Sequence, residues 1–310
     1  DPGNPLVARV IANRYWQMFF GTGIVKTSED FGSQGELPSH GELLDHLAVE
    51  LVSSGWNVRH LLRQIVLSAT YRQSSNIPAE RRAADPENRW LARGARFRLQ
   101  AELIRDQALA ASGLLERRIG GPSVSPYQPP GLWEELMSRA DGDNWTAQKY
   151  VQSHGADLYR RSMYTFWKRT SPPAQLATFD APDRATCVVR RGRTNTPLQA
   201  LVLMNDPTYI EAARKLAERV LQDTSATPES RLTQMTRLVL ARQPTDLELS
   251  TLTSLIAHQR AVFSAAQPSA QALLAAGESP HDAALDPAEH AAWTIAASVL
   301  LNLDETVTKE

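Results

Sequence analysis

The chain has little cysteine, no long hydrophobic run and no motif for a redox cofactor. Its single cysteine, Cys187, excludes an internal disulfide and a cysteine-rich zinc or iron–sulfur site among its 310 residues, and no C-x-x-C-H haem attachment is present. The longest apolar run, AAWTIAASVLLNL at 291–303, is too short to span a bilayer. We therefore predict no cofactor held by this chain and no membrane span.

An excess of basic charge is also missing. The formal net charge is −1, whereas a general nucleic-acid binder needs a basic excess, so no nucleic-acid partner is expected. Positive and negative charges are not balanced locally. Residues 160–195 contain eight Lys and Arg but two Asp, and residues 276–310 contain seven acids but one Lys. Either these two regions attract each other within the fold or the basic one is kept for a ligand.

Strand-forming sequence is scarce, and helical patterns dominate. Only YRRSMYTFWKR (159–169) and TCVVRR (186–191) favour strands, and both are short. The sequence predicts a mainly α, multi-helix globular domain with long ordered loops and at most a minor β element. Helices are predicted near 5–20, 40–54, 58–71, 86–93, 98–116, 131–139, 197–204, 207–222, 229–241, 246–265 and 287–301.

Helix starts are marked by capping residues followed by proline. A side-chain acceptor at the N-cap and proline in the first turn suit a helix N-terminus. The pairs are Asn4-Pro5, Asp85-Pro86, Thr196-Pro197, Asp206-Pro207 and Asp286-Pro287. Ser39 with Glu42, and Thr245 with Glu248, have the spacing of capping boxes.

Three long loops and one weak boundary organise the chain. The loops at 21–39, 117–131 and 170–186 are rich in Gly, Pro and polar residues, which is typical of functional or mobile segments. We predict a main helical domain over 1–222 and a C-terminal helical layer over 223–310 packed on the same unit. A single domain over 1–310 is the alternative.

Several long phrases resemble one known family. They are NPLVARVIANRYWQMFFGTGIVKTSEDFGSQGELPSHGELLDHLA, SGWNVRHLLRQIVLSATYRQSS, DPENRW, RRSMYTFWKRTSPP, FDAPDRATCVVRRGRTNTPLQALVLMNDP and LLNLDETVTKE. Together they closely resemble the PSD1 domain family, a family of unknown function abundant in planctomycetes, over essentially the whole chain. The resemblance implies an exported, periplasmic or cell-surface protein with upstream domains, among them a cytochrome c domain that carries haem c. It suggests carbohydrate-related redox metabolism and supplies no catalytic residues.

The stretch RRGRTNTPLQALVLMNDP (190–207) is the principal candidate for a binding site. A helix N-terminus favours an anion, and guanidinium groups bind carboxylate, sulfate or phosphate in a bidentate manner. The predicted anion- or ligand-binding residues are Arg190, Arg191, Arg193, Thr194 and Asn195. The alternative is that these arginines pair with acids of the same chain, for which the sequence offers Glu29, Asp30, Glu102, Asp106 and Asp183.

Other residues with reactive side chains have structural alternatives. Cys187 lies near arginines that would favour a thiolate, but a lone cysteine beside valines is typically a small buried hydrophobe, and we favour burial. Candidate catalytic residues are Glu29, Asp30, His40 and Asp183. Candidate metal ligands are His40, Glu42 and His46. The alternative for Glu42 is that an acid in the first turn of a helix complements the helix dipole.

Aromatic side chains offer a surface on which a sugar could stack. Trp133, Trp145, Tyr127 and Tyr164 are the candidates, although aromatic residues are more often core or loop anchors. A further helix carries Arg98 and Glu102 at a spacing that favours an intrahelical ion pair.

Three hypotheses about function follow. The chain is part of a cytochrome-linked oxidoreductase acting on a carbohydrate or related small molecule, with Arg190, Arg191, Arg193 and the 21–40 loop lining its pocket. Alternatively, it is a non-catalytic binding or docking module that holds partner domains or a glycan. A weaker alternative is a metal-dependent hydrolase.

Overall fold

Helices dominate the computed structural model, which describes residues 3–133 and 149–309. The one sheet in these ranges pairs β1 (Phe97–Arg98) antiparallel with β2 (Thr308–Lys309). The predicted mainly α class with a minor β element is confirmed. The strand-prone runs do not contribute to the sheet, because 159–169 forms 3₁₀ turns and isolated bridges and 186–191 is irregular, with no neighbouring strand to pair its backbone.

The chain divides into two compact units. The first comprises Asp1–Arg98 with Thr308–Glu310, and the second comprises Leu99–Val307, so this division falls near residue 98. Helices of the first unit are α1 (Pro5–Phe20), α2 (Gly41–Ser53), α3 (Val58–Leu67) and α4 (Ala79–Ala84). Helices of the second are α5 (Ala101–Ser112), α6 (Ala174–Thr178), α7 (Pro197–Asn205), α8 (Pro207–Leu221), α9 (Pro228–Leu240), α10 (Asp246–Ala265), α11 (Gln267–Leu274), α12 (Pro287–Leu301) and α13 (Asp304–Val307).

Most predicted helix caps are confirmed. The side chains of Asn4, Asp206 and Asp286 accept backbone N–H groups in the first turns of α1, α8 and α12 at 2.8–2.9 Å. Thr245 and Glu248 form a capping box, in which the Glu248 backbone N donates to Thr245 Oγ1 at 3.2 Å. These caps explain why the boundaries of α1, α8, α10 and α12 could be predicted closely.

One predicted helix start and one predicted capping box are wrong. The Asp85 carboxylate accepts the backbone N–H groups of Arg89 and Trp90, which closes a turn, so the predicted helix at 86–93 is replaced by turns. The helix α2 begins after His40 without a side-chain cap, so Ser39 forms no capping box. The helices α4 and α11 were not predicted, and most of the predicted helix at 131–139 lies outside the described residues.

The first unit packs around α1 and orders its long loop from within. Trp16 and Phe20 stack with ring centroids 4.0 Å apart in a core shared with α2 and α3. The fully buried side chain of Asn13 accepts the backbone N–H of Val25 at 2.9 Å and donates to its carbonyl at 3.0 Å. Gly23 must lack a side chain, because a Cβ there would lie 2.6 Å from the Asn13 amide. The 21–39 loop is therefore held by a buried amide.

The second unit packs around α8 and α12. Both helices bury rows of alanines, which let two helices approach closely, and α5 and α10 pack beside them. The buried alanines are Ala212, Ala213, Ala217, Ala291, Ala292, Ala296 and Ala297. Residues on both sides of position 222 thus share one core. None of the helices in the described ranges has the length and apolar run that a membrane crossing requires.

Candidate functional site

The predicted binding stretch forms the end of a closed surface loop in the second unit. We call residues 181–193, between α6 and α7, the arginine loop. Its ends are joined because the Thr194 backbone N donates to Asp180 Oδ2 at 2.7 Å and Thr194 Oγ1 donates to Asp180 Oδ1 at 3.0 Å. Compact loops with joined ends are frequently functional. Thr194, predicted to bind an external anion, binds this internal carboxylate.

A tryptophan anchors the first half of the arginine loop. The Trp167 indole Nε1 donates to the Asp183 carbonyl at 3.1 Å, and the Arg184 guanidinium lies 4.4 Å from the Trp167 ring centroid. Asp183 Oδ1 accepts the backbone N–H of Ala185 at 2.9 Å, which supports a turn at Arg184. Arg184 and Asp180 both have positive φ, at 61° and 59°. Left-handed arginine is unfavourable, so the contacts around Trp167 must offset this strain.

An ion pair anchors the second half. Arg191 Nη1 lies 2.6 Å from Glu102 Oε2, in the first turn of α5, and both side chains are partly buried. This pairing confirms the predicted alternative for Arg191, in which its carboxylate comes from the same chain. Glu102 was also predicted to pair with Arg98 along one helix. That helix is shorter than predicted, because α5 begins at Ala101 and Arg98 lies in β1.

The first turn of α7 is filled by its own glutamine. The buried side chain of Gln199 accepts the Thr196 backbone N–H at 3.3 Å and donates to the Thr178 carbonyl at 3.0 Å and to Thr194 Oγ1 at 3.1 Å. The predicted N-terminus at Thr196-Pro197 is confirmed. Asn195 is exposed beside this turn. Gln199 therefore occupies the place where the sequence predicted an anion.

The tip of the arginine loop is exposed and largely apolar. Cys187, Val188, Val189 and Arg190 all face solvent, and Arg193 is exposed beyond them. The prediction that Cys187 is a buried packing residue is therefore wrong. The valines beside it do not enter a core, because the anchors at Asp180, Trp167 and Glu102 hold this part of the chain on the surface.

Helix α7 continues the exposed apolar surface. Leu198, Leu201 and Met204 recur every three residues, and each is more than half exposed, whereas Leu203 on the inner face is buried. Residues three apart on a helix are neighbours, so these side chains form one row, which we call the α7 stripe. Exposed apolar clusters of this kind mark interaction surfaces more often than isolated exposed side chains do.

Other arginines of the second unit are interior. Arg105 is almost completely buried, and its guanidinium donates to the carbonyls of Leu158 at 2.6 Å and Arg160 at 2.9 Å. Burial lowers the pKa of Arg105, and the nearby Asp106 carboxylate opposes that shift. Arg160 donates to the carbonyls of Gly120 and Pro122 and lies 3.8 Å from the Tyr164 ring centroid. Arg160 therefore holds the 117–131 loop, and Arg105 holds the backbone at 158–160.

The buried carboxylate of Glu211 likewise accepts hydrogen bonds from side chains of the same unit. The Tyr127 and Tyr159 hydroxyls donate to Glu211 at 3.0 and 2.9 Å. Burial raises the pKa of Tyr127, and burial together with the hydrogen bond to Glu211 raises the pKa of Tyr159 to about 12, so both hydroxyls remain protonated donors. A Cβ on Gly277 would lie 2.1 Å from the Glu211 carboxyl carbon, which requires glycine there. No sequence pattern points to Glu211, because only the fold brings its partners together.

The predicted catalytic residues lie in different units. Glu29, Asp30 and His40 belong to the first unit, and Asp183 belongs to the second. Glu29 is exposed, and Asp30 Oδ1 accepts the backbone N–H of Gly32 at 2.7 Å in a local turn. Asp183 shapes the arginine loop in a similar manner. Local backbone contacts therefore account for the positions of both aspartates.

The predicted metal ligands are spread over exposed positions. Within the described ranges, no group of three or more His, Cys, Asp or Glu side chains is close enough together to hold a metal ion. Glu42 and His46 are exposed on α2, and His40 Nδ1 contacts Ser39 Oγ at 3.1 Å. One contact between a histidine and an acid in the first unit was not predicted. Glu50 lies 3.2 Å from His60, and this hydrogen bond is the largest contribution that lowers the pKa of Glu50.

The predicted sugar-stacking surface is covered where the structure describes it. Lys168 Nζ lies 4.0 Å from the Trp133 ring centroid, Arg160 covers Tyr164, and Tyr127 is buried against Glu211. Trp145 lies outside the described residues. A separate shallow depression of about 430 Å³ in the first unit is lined by Ile77, Ala79, Arg82, Ala83 and Pro86. It contains none of the predicted catalytic residues.

Comparison with known proteins supports one family. The model of PSD1, described as a protein of unknown function (DUF1553), matches residues 1–256. This is most of the chain, which therefore belongs to that family. No curated protein and no solved structure matches the chain.

Proposed function

For this member of the PSD1 family, we propose a non-catalytic docking module that holds a partner domain of an exported, cytochrome-linked protein. The binding surface consists of the arginine loop and the α7 stripe. The single observation that carries the proposal is the exposure of five apolar side chains, each 42–57% exposed, on a segment fixed at both ends. They are Val188, Val189, Leu198, Leu201 and Met204.

The anchoring of the arginine loop supports docking rather than a catalytic role. A loop already fixed in its bound shape loses little conformational freedom on association, so more of the contact energy appears as affinity. The joined neck at Asp180 and Thr194, the Trp167 anchor and the Arg191–Glu102 pair all restrict the loop. Their polar groups are used in building this surface.

The two catalytic hypotheses remain predictions. The oxidoreductase acting on a carbohydrate, with haem c on another domain, rests on the family resemblance. The metal-dependent hydrolase rests on His40, Glu42 and His46, which are not gathered with other ligands in the part of the chain that is described. The docking proposal has the advantage of a defined surface.

Site-specific cross-linking tests the docking proposal, because Cys187 is the only cysteine and lies at the exposed loop tip. A photoreactive maleimide attached to Cys187 in the natural full-length protein, with any free cysteine outside these 310 residues replaced by serine, is expected to cross-link to one defined set of partner peptides, identified by mass spectrometry. Leu201→Asp should reduce the yield at least severalfold, because it places a charge in the α7 stripe.

A relocated cysteine provides the matched control. In Cys187→Ser/Ser230→Cys, the label lies at an exposed position in the first turn of α9. The proposal requires a much higher cross-link yield from the label at position 187 than from the label at position 230. Equal yields, or a Cys187 yield unaffected by Leu201→Asp, would show that the loop does not dock.

A further inference from the structure

The charge around the arginine loop is not neutralised by the residues that the structure describes. Arg169 and Arg190 are exposed, and Arg184 lies over the Trp167 ring. None of the three guanidinium groups has an ion pair with a described residue. Arg191 differs, since its charge is taken up by Glu102. The arginine loop together with Arg169, two residues after Trp167, therefore combines one guanidinium used for folding with three that have no carboxylate partner among the described residues.

The acids of the C-terminal region engage other partners. The sequence left open whether residues 276–310 neutralise residues 160–195. Three of those acids pair outside the basic region: Glu278 contacts His154, Glu289 contacts Arg260, and Glu305 contacts Arg242. Asp286 caps α12. The positive charges of Arg169, Arg184 and Arg190 are therefore available to a partner.

We infer that the partner of this surface is an acidic protein surface with apolar side chains among its carboxylates. The inference rests on the proposed docking function and adds the chemistry of the partner. Guanidinium groups bind carboxylates in a bidentate manner, and complementary charge accelerates and orients association. Val188, Val189 and the α7 stripe require apolar counterparts, as in the centre of a protein interface. A nucleic acid or sulfated polysaccharide supplies charge without them.

A random copolymer of glutamate and tyrosine is a suitable probe, with polyglutamate of the same length as the comparison. The chain is expected to bind the copolymer more tightly than polyglutamate, and added salt should weaken both. Arg169→Ser/Arg190→Ser should weaken copolymer binding about fivefold, the sum of two exposed charge contacts. Leu198→Ser/Leu201→Ser should weaken binding of the copolymer and leave binding of polyglutamate unchanged. Circular dichroism checks that each variant is folded.

Arg59→Ser/Arg63→Ser is the matched control, because it removes two exposed arginines from α3 without changing the arginine loop. The inference fails if this control weakens binding as much as Arg169→Ser/Arg190→Ser does. It also fails if the copolymer does not bind, or if heparin or phosphatidylserine vesicles bind more tightly than the copolymer. Any of these failures would overturn the acidic partner without overturning the docking function. The docking function is tested separately by the Cys187 cross-linking experiment, whose result does not depend on the partner's charge. Loss of that cross-link would overturn both.

Discussion

The arginines of the second unit fall into two groups, one in the interior and one on the arginine loop. Arg105 and Arg160 are buried, and their guanidinium groups donate to backbone carbonyls, which for Arg105 are those of the buried residues Leu158 and Arg160. Arg184 and Arg190 lie on the arginine loop, one over a tryptophan ring and the other in solvent. The comparison shows that the same side chain organises the interior in one place and stays at the surface in the other.

The difference follows from which acceptors the backbone leaves unsatisfied. The segment at 158–162 contains few regular hydrogen bonds, so its buried carbonyls need side-chain donors. One arginine can satisfy two or three carbonyls at once. The arginine loop lies on the surface, where water satisfies the backbone. Its arginines are consequently not needed for that purpose, apart from Arg191 with Glu102.

The largest expected effect comes from removing an interior guanidinium. Arg105→Met retains much of the side-chain volume but leaves the carbonyls of Leu158 and Arg160 without these donors. Urea denaturation should show a loss of about 3 kcal/mol in the free energy of unfolding, since each buried unsatisfied group costs about 1–3 kcal/mol. Arg190→Met, the matched surface change, should alter it by less than about 0.5 kcal/mol. Equal effects of the two substitutions would refute the distinction between interior and surface arginines.

Arg242 is an intermediate case, because it pairs with two carboxylates at the edge of the second unit. Its Nη2 lies 2.7 Å from Glu248 and 2.5 Å from Glu305, and all three side chains are about a third exposed. The hydrogen bond from Arg242 is the largest contribution that lowers the pKa of Glu248, to about 2 from its usual 4.5. This ion-pair cluster contributes stability that depends on pH.

The expected pH effect is moderate. Because the folded-state pKa of Glu248 is depressed, its contribution is fully present above pH 4.5 and is lost as the pH falls through about 2. Solvent screening reduces the contribution to about 1 kcal/mol. Urea denaturation between pH 6 and about pH 2.5 should therefore show a shallower loss of stability in Glu248→Gln than in the natural chain. An identical slope in the two proteins would show that the ion pair has no effect.

The parts of the fold that local chemistry decides could be predicted from the sequence. Asn4, Asp206 and Asp286 cap helices because the acceptor, the following proline and the apolar spacing all agree. Asp85-Pro86 has the same first two features but begins DPENRW, whose polar residues give no helical face to bury. Its carboxylate closes a turn instead. Caps alone are therefore insufficient without an amphipathic segment after them.

The candidate site was less predictable, because its geometry depends on contacts distant in sequence. The pattern identified Arg191 and offered Glu102 among its possible partners, but the neck between Asp180 and Thr194 and the anchor at Trp167 depend on the path of the chain. Cys187 was misjudged for the same reason. Two valines beside it favoured burial, whereas the anchors keep the whole tip on the surface.

The smallest expected effect on overall stability comes from releasing one anchor of the arginine loop. Arg191→Gln removes the ion pair with Glu102, and a partly buried pair of this kind contributes at most about 1 kcal/mol to the free energy of unfolding. The local effect should be larger, because the second half of the loop then loses its contact with α5. Backbone hydrogen exchange over residues 186–190 should become severalfold faster, whereas exchange in α8 stays unchanged. Glu102→Gln should reproduce this result, and combining both substitutions should add nothing further, since either one already breaks the pair. If hydrogen exchange at the loop tip does not change, the ion pair between Arg191 and Glu102 is not needed to order the loop. The contacts of Trp167 and Asp180 would then be sufficient for that purpose.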